Sequence, residues 1–329
     1  MMQRIELPEV ERAVHGLRLR GHALYLQPRG RPPLGFLAHA RGARPVLPER
    51  TVATAATIAL LESAQPRALR RAAPLSASWG QSFALGSLRL TVHPAGHVLG
   101  SAQLRCQADG LDLVYAADIG GAGTRASSTA EPREQLTCET LVIRALYGSP
   151  RYVFAPREEL LERARAFVEK TRSEGRTPVL IAAALGAAQD LVKHLGERGL
   201  VLRLHAAVYR ACQVYVAQGV ALPGFARLDE EGDAVLVPPT VRLDRLRLGE
   251  TRICALSGRA LDGPLPGDEA IPLSDHAGFD ELLEYALRSG ARHVLAIEGH
   301  ADELARALRG KGVQAMALRE HHQLDLPGI

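Results

Sequence analysis

His93-Pro94-Ala95-Gly96-His97-Val98-Leu99-Gly100-Ser101-Ala102-Gln103-Leu104-Arg105 is the stretch on which the reading of this chain turns. An apolar run at 88–92 leads into it and a second, at 102–106, overlaps its end. Two histidines, two glycines and a proline between strand-like runs describe a stiff loop. Such loops on rigid scaffolds present imidazoles for chemistry. Taken alone, the loop is equally a β-turn with two incidental histidines, so its meaning rests on the residues that accompany it downstream.

The chain has 329 residues, enough to bury a sizeable core and to divide into two domains. At 47% apolar and 23% charged, its composition is that of a globular protein. The formal charge of +4 is carried almost wholly by arginine, with lysine only at 170, 193 and 311. Arginine forks suit phosphate and carboxylate, and a modest basic excess is compatible with a nucleic-acid partner without showing one. Cys106, Cys138, Cys212 and Cys254 are widely spaced and lack metal-finger spacing, so buried free thiols in a reducing compartment are expected. The charged N-terminus does not read as a signal peptide, and the apolar run near 179–188 is too short to span a bilayer. The expectation is a soluble, cytoplasmic protein with no membrane partner.

In chain order, short strands and turns fill residues 1–50, and 51–64 reads as a helix. Three strands follow between 88 and 118, the last ending at Asp118, and 139–146 is another. The texture changes near Pro150. Residues 157–173 form an amphipathic helix stopped by Gly175, 179–184 a buried strand, and 187–198 a helix ending at Gly199. The last third alternates again: strand 253–256, helix 279–288, strand 293–297, helix 301–309, strand 314–318.

Five pieces recur in order: Ala95-Gly-His97-Val-Leu-Gly-Ser-Ala, the strand ending in Asp118, Leu141-Val-Ile-Arg-Ala-Leu-Tyr-Gly148, Leu273-Ser-Asp-His276-Ala, and Ala296-Ile-Glu-Gly299. Together they resemble the β-CASP branch of the metallo-β-lactamase fold. They are similar in particular to bacterial ligase-associated DNA exonucleases, also described as mRNA 3′-end processing factors. The resemblance covers about 34–320. It implies an α/β fold: an αββα metallo-β-lactamase sandwich from residues 1–152 and 261–329, with an α/β β-CASP cap inserted at 153–260. Active members hold two zinc ions at the strand ends, lowering the pKa of a bridging water and clamping a phosphodiester.

By that resemblance His97 and Asp118 match metal ligands, and His276 matches the histidine that protonates the leaving oxygen. The family's His-x-His-x-Asp-His signature falls on His39-Ala40-Arg41-Gly42-Ala43-Arg44, where only His39 survives. Arg144 stands where a glutamate is expected, and Glu298 where the last imidazole is expected. His300 is excluded from that role by the glycine register. An arginine offers no lone pair to zinc. The replacements at Arg41, Ala43, Arg44, Arg144 and Glu298 raise the local charge by about four units, what two zinc ions would supply. Guanidinium groups are therefore expected in the metal volume, paired with Asp118 and Glu298.

Blander readings stand beside these. His93 is a loop hydrogen-bonder, His39 and His97 are relics held by hydrogen bonds, and His276 caps the helix near Phe279. Three functions are compatible with the residues. The first is a catalytically impaired β-CASP protein without cofactor. It acts in DNA repair or RNA 3′-end processing by binding DNA or RNA, or by accompanying an active β-CASP nuclease or a DNA ligase. The second is an active exonuclease with one zinc or manganese on His39, His97 and Asp118, a site that Arg41 would crowd. The third is a scaffold that touches no nucleic acid.

Overall fold

Six short strands open the chain: β1 (Val10–Ala13), β2 (Gly16–Leu19), β3 (Leu24–Leu26), β4 (Leu34–Phe36), β5 (Arg50–Thr54) and, after helices α1 (Ala55–Ala64) and α2 (Pro66–Leu69), β6 (Ala73–Ala77). They form a first sheet in chain order. The structure is a computed structural model that describes residues 9–42 and 46–318, so Ala43 and Arg44 lie outside the described residues. The helix expected over 51–64 begins only at Ala55. Thr51 and Val52 are β-branched, which favours a pleated strand, and they pair with β4 and β6. Thr54 ends that strand and caps α1, its hydroxyl accepting from the Thr57 N–H at 3.2 Å.

The second sheet begins as an antiparallel meander of β7 (Ser82–Leu85), β8 (Leu88–Pro94), β9 (Ala102–Ala108) and β10 (Leu111–Ala117), joined by β11 (Thr140–Ala145) parallel to β10. His93 lies within β8, opposite Gln103, and sits 3.0 Å from the Glu134 carboxylate, so it belongs to a strand and not to the loop.

The chain then builds a third sheet before returning. Its elements are α3 (Arg157–Ser173), β12 (Thr177–Ile181), α4 (Ala187–Gly196), β13 (Leu202–Leu204), α5 (Ala206–Ala217), β14 (Phe225–Arg227), β15 (Ala234–Val237), β16 (Thr251–Leu256) and β17 (Glu269–Ile271). All pairings in this sheet are parallel, in the order β14-β13-β15-β12-β16-β17. Finally α6 (Phe279–Arg288), β18 (His293–Gly299), α7 (Ala301–Arg309) and β19 (Gln314–Leu318) complete the second sheet in the order β19-β18-β11-β10-β9-β8-β7. The third sheet is thus spliced between β11 and β18, which are direct neighbours.

Alternation along the strands decides what each face buries. On β5, Val52 turns inward with Phe36 and Leu24 against Leu90, Leu104 and Tyr115 of the second sheet. Ala53 turns the other way, toward Leu60 and Leu61 of α1, in a core that continues into Leu191, Leu202 and Tyr215. Helices α6 and α7 cover the outer face of the second sheet with Leu282, Tyr285, Leu304 and Leu308. Burying each such side chain is worth about 1.5–3 kcal/mol. Among the described residues no helix is long and apolar enough to cross a membrane.

The loop after β8 is locked into this framework. Gly100 adopts φ +73°, and a Cβ there would lie 2.7 Å from the Ala56 Cβ and 2.8 Å from the Thr54 hydroxyl. Its carbonyl accepts from the hydroxyls of Thr54 (2.7 Å) and Thr57 (3.0 Å), while the Ser101 hydroxyl accepts from the N–H groups of His97 and Val98. The loop that presents His97 therefore has little freedom to move.

Candidate functional site

The C-terminal ends of three parallel strands, β10, β11 and β18, lie side by side and deliver Asp118, Arg144 and Glu298 to one place. The pairing register slips between Tyr115 and Ala117 and again between Arg144 and Ala145; such bulges re-aim side chains. His39 arrives from the chain leaving β4, His97 from the locked loop, and His276 from the segment before α6. A cleft of about 620 Å³ opens here, with the β1–β2 turn forming its opposite wall. Among the described residues the non-glycine positions with left-handed φ are Gln27 (48°), Ala117 (44°) and Glu298 (56°), and each lines this cleft. Strained backbone gathered at one cleft marks a site whose geometry the surrounding fold enforces.

Asp118 is the hub. Arg144 Nη1 donates to its Oδ2 at 2.7 Å and its Oδ1 at 2.9 Å, and His39 Nε2 stands 2.8 Å from Oδ2. His276 Nδ1 lies 3.3 Å from Oδ1. Burial would raise the Asp118 carboxyl, but the neighbouring His276 and His39 outweigh it and hold the group well below its usual range. Arg144 also reaches the other way, with Nε 2.7 Å from Glu298 Oε2. Although burial disfavours its charge, Asp118 and Glu298 keep the guanidinium protonated.

Each imidazole is fixed differently. His39 Nδ1 accepts from the Arg41 backbone N–H at 3.2 Å, which places its proton on Nε2, facing Asp118. Gln27 lies beside this ring: its amide nitrogen is 3.1 Å from His39 Nε2, and its oxygen accepts from the Ala38 N–H at 2.7 Å. His97 is fully buried, and its Nδ1 donates to the Asp275 carbonyl at 3.1 Å. Its Nε2 is buried without a hydrogen bond. Burial, reinforced by nearby His276, holds the His97 imidazole well below its ordinary pKa, so it is neutral. The His97 ring lies 4.2 Å from that of His276 and 5.1 Å from that of His39. His276 does not cap the following helix; Gly278 holds that position, its N–H donating to Glu281.

Arg41, expected to pair with Asp118 or Glu298 in the metal volume, lines the cleft but pairs with Asp275. Its Nη1 donates to Asp275 Oδ2 at 2.9 Å. Arg144 alone among the described arginines fills the space beside Asp118, because it rises from the adjacent strand while Arg41 follows a loop past the site. His300, rejected on the glycine register, precedes α7 and contacts Tyr152 and Glu303.

A buried chain of charges behind the site was not visible in the sequence. Arg157 Nη2 donates to Asp275 Oδ1 at 2.8 Å, Nη1 to the Ser274 carbonyl at 2.6 Å, and Nε to Asp190. Asp190 Oδ1 accepts from Thr129 (2.7 Å) and Ser127 (3.0 Å). This network ties α3 and α4 to the segment carrying His276. The one available signal was Asp275 itself, beside His276 in a quoted motif.

The donor chemistry can be tested against a metal. Ligand atoms of His39, His97 and Asp118 lie within 4.8 Å of one another. A binuclear centre does not fit, since the Arg144 guanidinium stands beside Asp118 and donates to both of its oxygens. As arranged, His39 presents a proton, and only His97 Nε2 offers a free lone pair.

No protein-family model matches the chain. Over 327 residues, 95% of its length, it is 30% identical to a protein named probable DNA ligase from Opitutus terrae. It is 29% identical over 135 residues, 40% of its length, to the transcription termination factor FttA of Pyrococcus abyssi. It is 32% identical over 116 residues, 34% of its length, to the endoribonuclease YSH1 of Gibberella zeae. The chain belongs to the β-CASP metallo-β-lactamase family. The matched segments span 31%, 21% and 13% of these three relatives.

Proposed function

We propose that this chain is a non-cleaving β-CASP protein that holds a nucleic-acid strand in its cleft and works beside a DNA ligase or an active nuclease. The observation that carries the reading is Arg144 bridging Asp118 and Glu298, a guanidinium standing where the family's glutamate would face metal. The two facing sheets, flanked by α1 on one side and by α6 and α7 on the other, support the αββα sandwich. The sheet spliced between β11 and β18 supports a cap over 153–260, to which β17 adds a strand from beyond that boundary. Arg12, Arg29 and Arg41 line the cleft together with Arg144, and arginine forks match phosphate. A relative that bears the name of a DNA ligase and contains a segment like this chain favours a ligase as the partner.

The test combines binding and turnover on end-labelled single-stranded DNA and RNA, with zinc, manganese or magnesium added. The expected result is binding that weakens between about 50 and 200 mM salt, with no shortening of the strand. Metal-dependent trimming of strand ends overturns the reading.

The convergence of His39, His97 and Asp118 favours a second reading, an exonuclease with one ion. His39 would then lose its Nε2 proton and Asp118 would loosen its pairing with Arg144, and the ion would supply Lewis acidity there. One zinc or manganese per chain, lost in His97→Ala together with strand trimming, would establish it.

A further inference from the structure

The β1–β2 hairpin, which walls the cleft, carries an apolar side chain that the fold does not use. Val14 and His15 join the two strands in a tight turn. Val10, Leu17 and Leu19 turn inward and are buried in the core between the first and second sheets. Val14, at the tip, is 95% exposed, and no other large apolar side chain among the described residues exceeds 52%. Short hairpin turns favour glycine, asparagine and aspartate, so neither the turn nor solubility calls for a β-branched apolar residue here. Single exposed apolar side chains are common on protein surfaces. This one differs in its place, on the wall of the cleft.

The tip is firmly held. Glu11 and Arg18 pair across the hairpin, the arginine Nε donating at 2.8 Å. His15 packs edge-on against Tyr25 with ring centres 5.7 Å apart, and its carbonyl accepts from the Arg29 N–H at 2.9 Å. Arg12 Nη2 donates to the Leu318 carbonyl at 2.6 Å, which ties the hairpin to the end of β19. Valine is itself stiff about its one side-chain torsion, so a ligand packing on it orders little that is not already ordered.

Charge completes the surface. Arg12 and Arg29 line the cleft beside Val14, and Arg12 pairs with no carboxylate among the described residues. Asp118 and Glu298, the carboxylates of the cleft, are both engaged by Arg144. An apolar contact set between guanidinium groups matches the mixed chemistry of a nucleotide, a flat base face joined to an anionic phosphate. Base faces are stacked out of reach inside a duplex, whereas an unpaired strand offers them.

Resting on the reading that the cleft holds a nucleic-acid strand, we infer that the β1–β2 hairpin selects unpaired strand. Val14 packs against the face of a base while Arg12 takes a neighbouring phosphate. The contact is tolerant of sequence, because every base has such a face.

The experiment measures the affinity of the parent chain and of Val14→Ser by fluorescence anisotropy with three labelled probes of one length. These are a single-stranded DNA, the same strand made abasic throughout, and the blunt duplex. Val14 is exposed, so its variant folds as the parent does. Val14→Ser should bind the intact single strand about fivefold more weakly, as expected for one lost apolar contact. It should bind the abasic strand and the duplex as the parent does. Arg12→Gln should weaken the intact and abasic strands alike and reduce the salt slope by about one. An intact strand bound equally by parent and Val14→Ser overturns the inference, as does a loss shared equally by the abasic strand or an unchanged salt slope in Arg12→Gln. A parent that binds none of the probes overturns the reading of the cleft itself, and this inference with it.

Discussion

Arg144 and Asp118 face each other at 2.7 Å across adjacent parallel strands, and this contact sets the charge of the whole cleft. The carboxylate is 4% exposed, so it cannot fall back on water if its partner is removed. Breaking a buried pair from one side typically costs about 3–5 kcal/mol. Arg144→Met should therefore destabilise the chain by about 3 kcal/mol in urea unfolding, the lower end because Arg144 is partly exposed. Asp118→Asn in the same background should recover part of that loss, and strict additivity of the two would disprove the coupling.

Reversing the charge should create a demand for a cation. In Arg144→Glu, three carboxylates meet where one guanidinium now separates two. That variant is expected to gain several degrees of melting temperature from manganese or zinc, by linkage to ion binding, while the parent's cleft gains none. Equal metal response in parent and variant would argue against Arg144 as the replacement for a metal.

Behind the cleft, Arg157 is the sole arginine contact of Asp190 and shares Asp275 with Arg41 among the described residues. Arg157→Met should cost more than Arg41→Met: about 4 kcal/mol for the fully enclosed pair, against about 1 kcal/mol for the partly exposed one. Gly186→Ala tests the same junction from the backbone. This residue has φ +94°, and a Cβ would stand 2.5 Å from the Asp275 carboxyl carbon, so a loss of at least about 2 kcal/mol is expected. Thermal unfolding that ranks Arg41→Met above Arg157→Met would contradict this picture of the network.

Acid should loosen the start of α5. His205 caps that helix, its Nδ1 accepting from the Ala207 N–H at 3.3 Å. Burial, with help from Arg210, lowers its pKa below 6.5. The unfolded chain therefore binds the proton more readily than the folded one. The stability from this group is fully present above about pH 6.5 and is lost as pH falls toward the folded value. His205→Asn keeps a capping acceptor but does not titrate. It should show a shallower loss of stability between about pH 7 and 5 than the parent, measured by urea unfolding at each pH.

The sequence by itself determined the family and most of the elements. Helices 157–173, 279–288 and 301–309 were legible because amphipathic periodicity and stop glycines are local signals. So were His97 and Asp118, because their motifs keep chain order. It also placed arginines at 41 and 144, beside His39 and within the 141–148 motif, and so raised the question of which carboxylates they pair with. Which arginine pairs with Asp118 was decided only by tertiary structure. Arg41 is the closer of the two in sequence to His39, yet it pairs with Asp275, 234 residues away. Arg144 reaches Asp118 because β10 and β11 are neighbours in the sheet. The same holds for the Arg157–Asp190–Asp275 chain. A side chain's partner depends on which strands and helices pack together, and no local pattern encodes that.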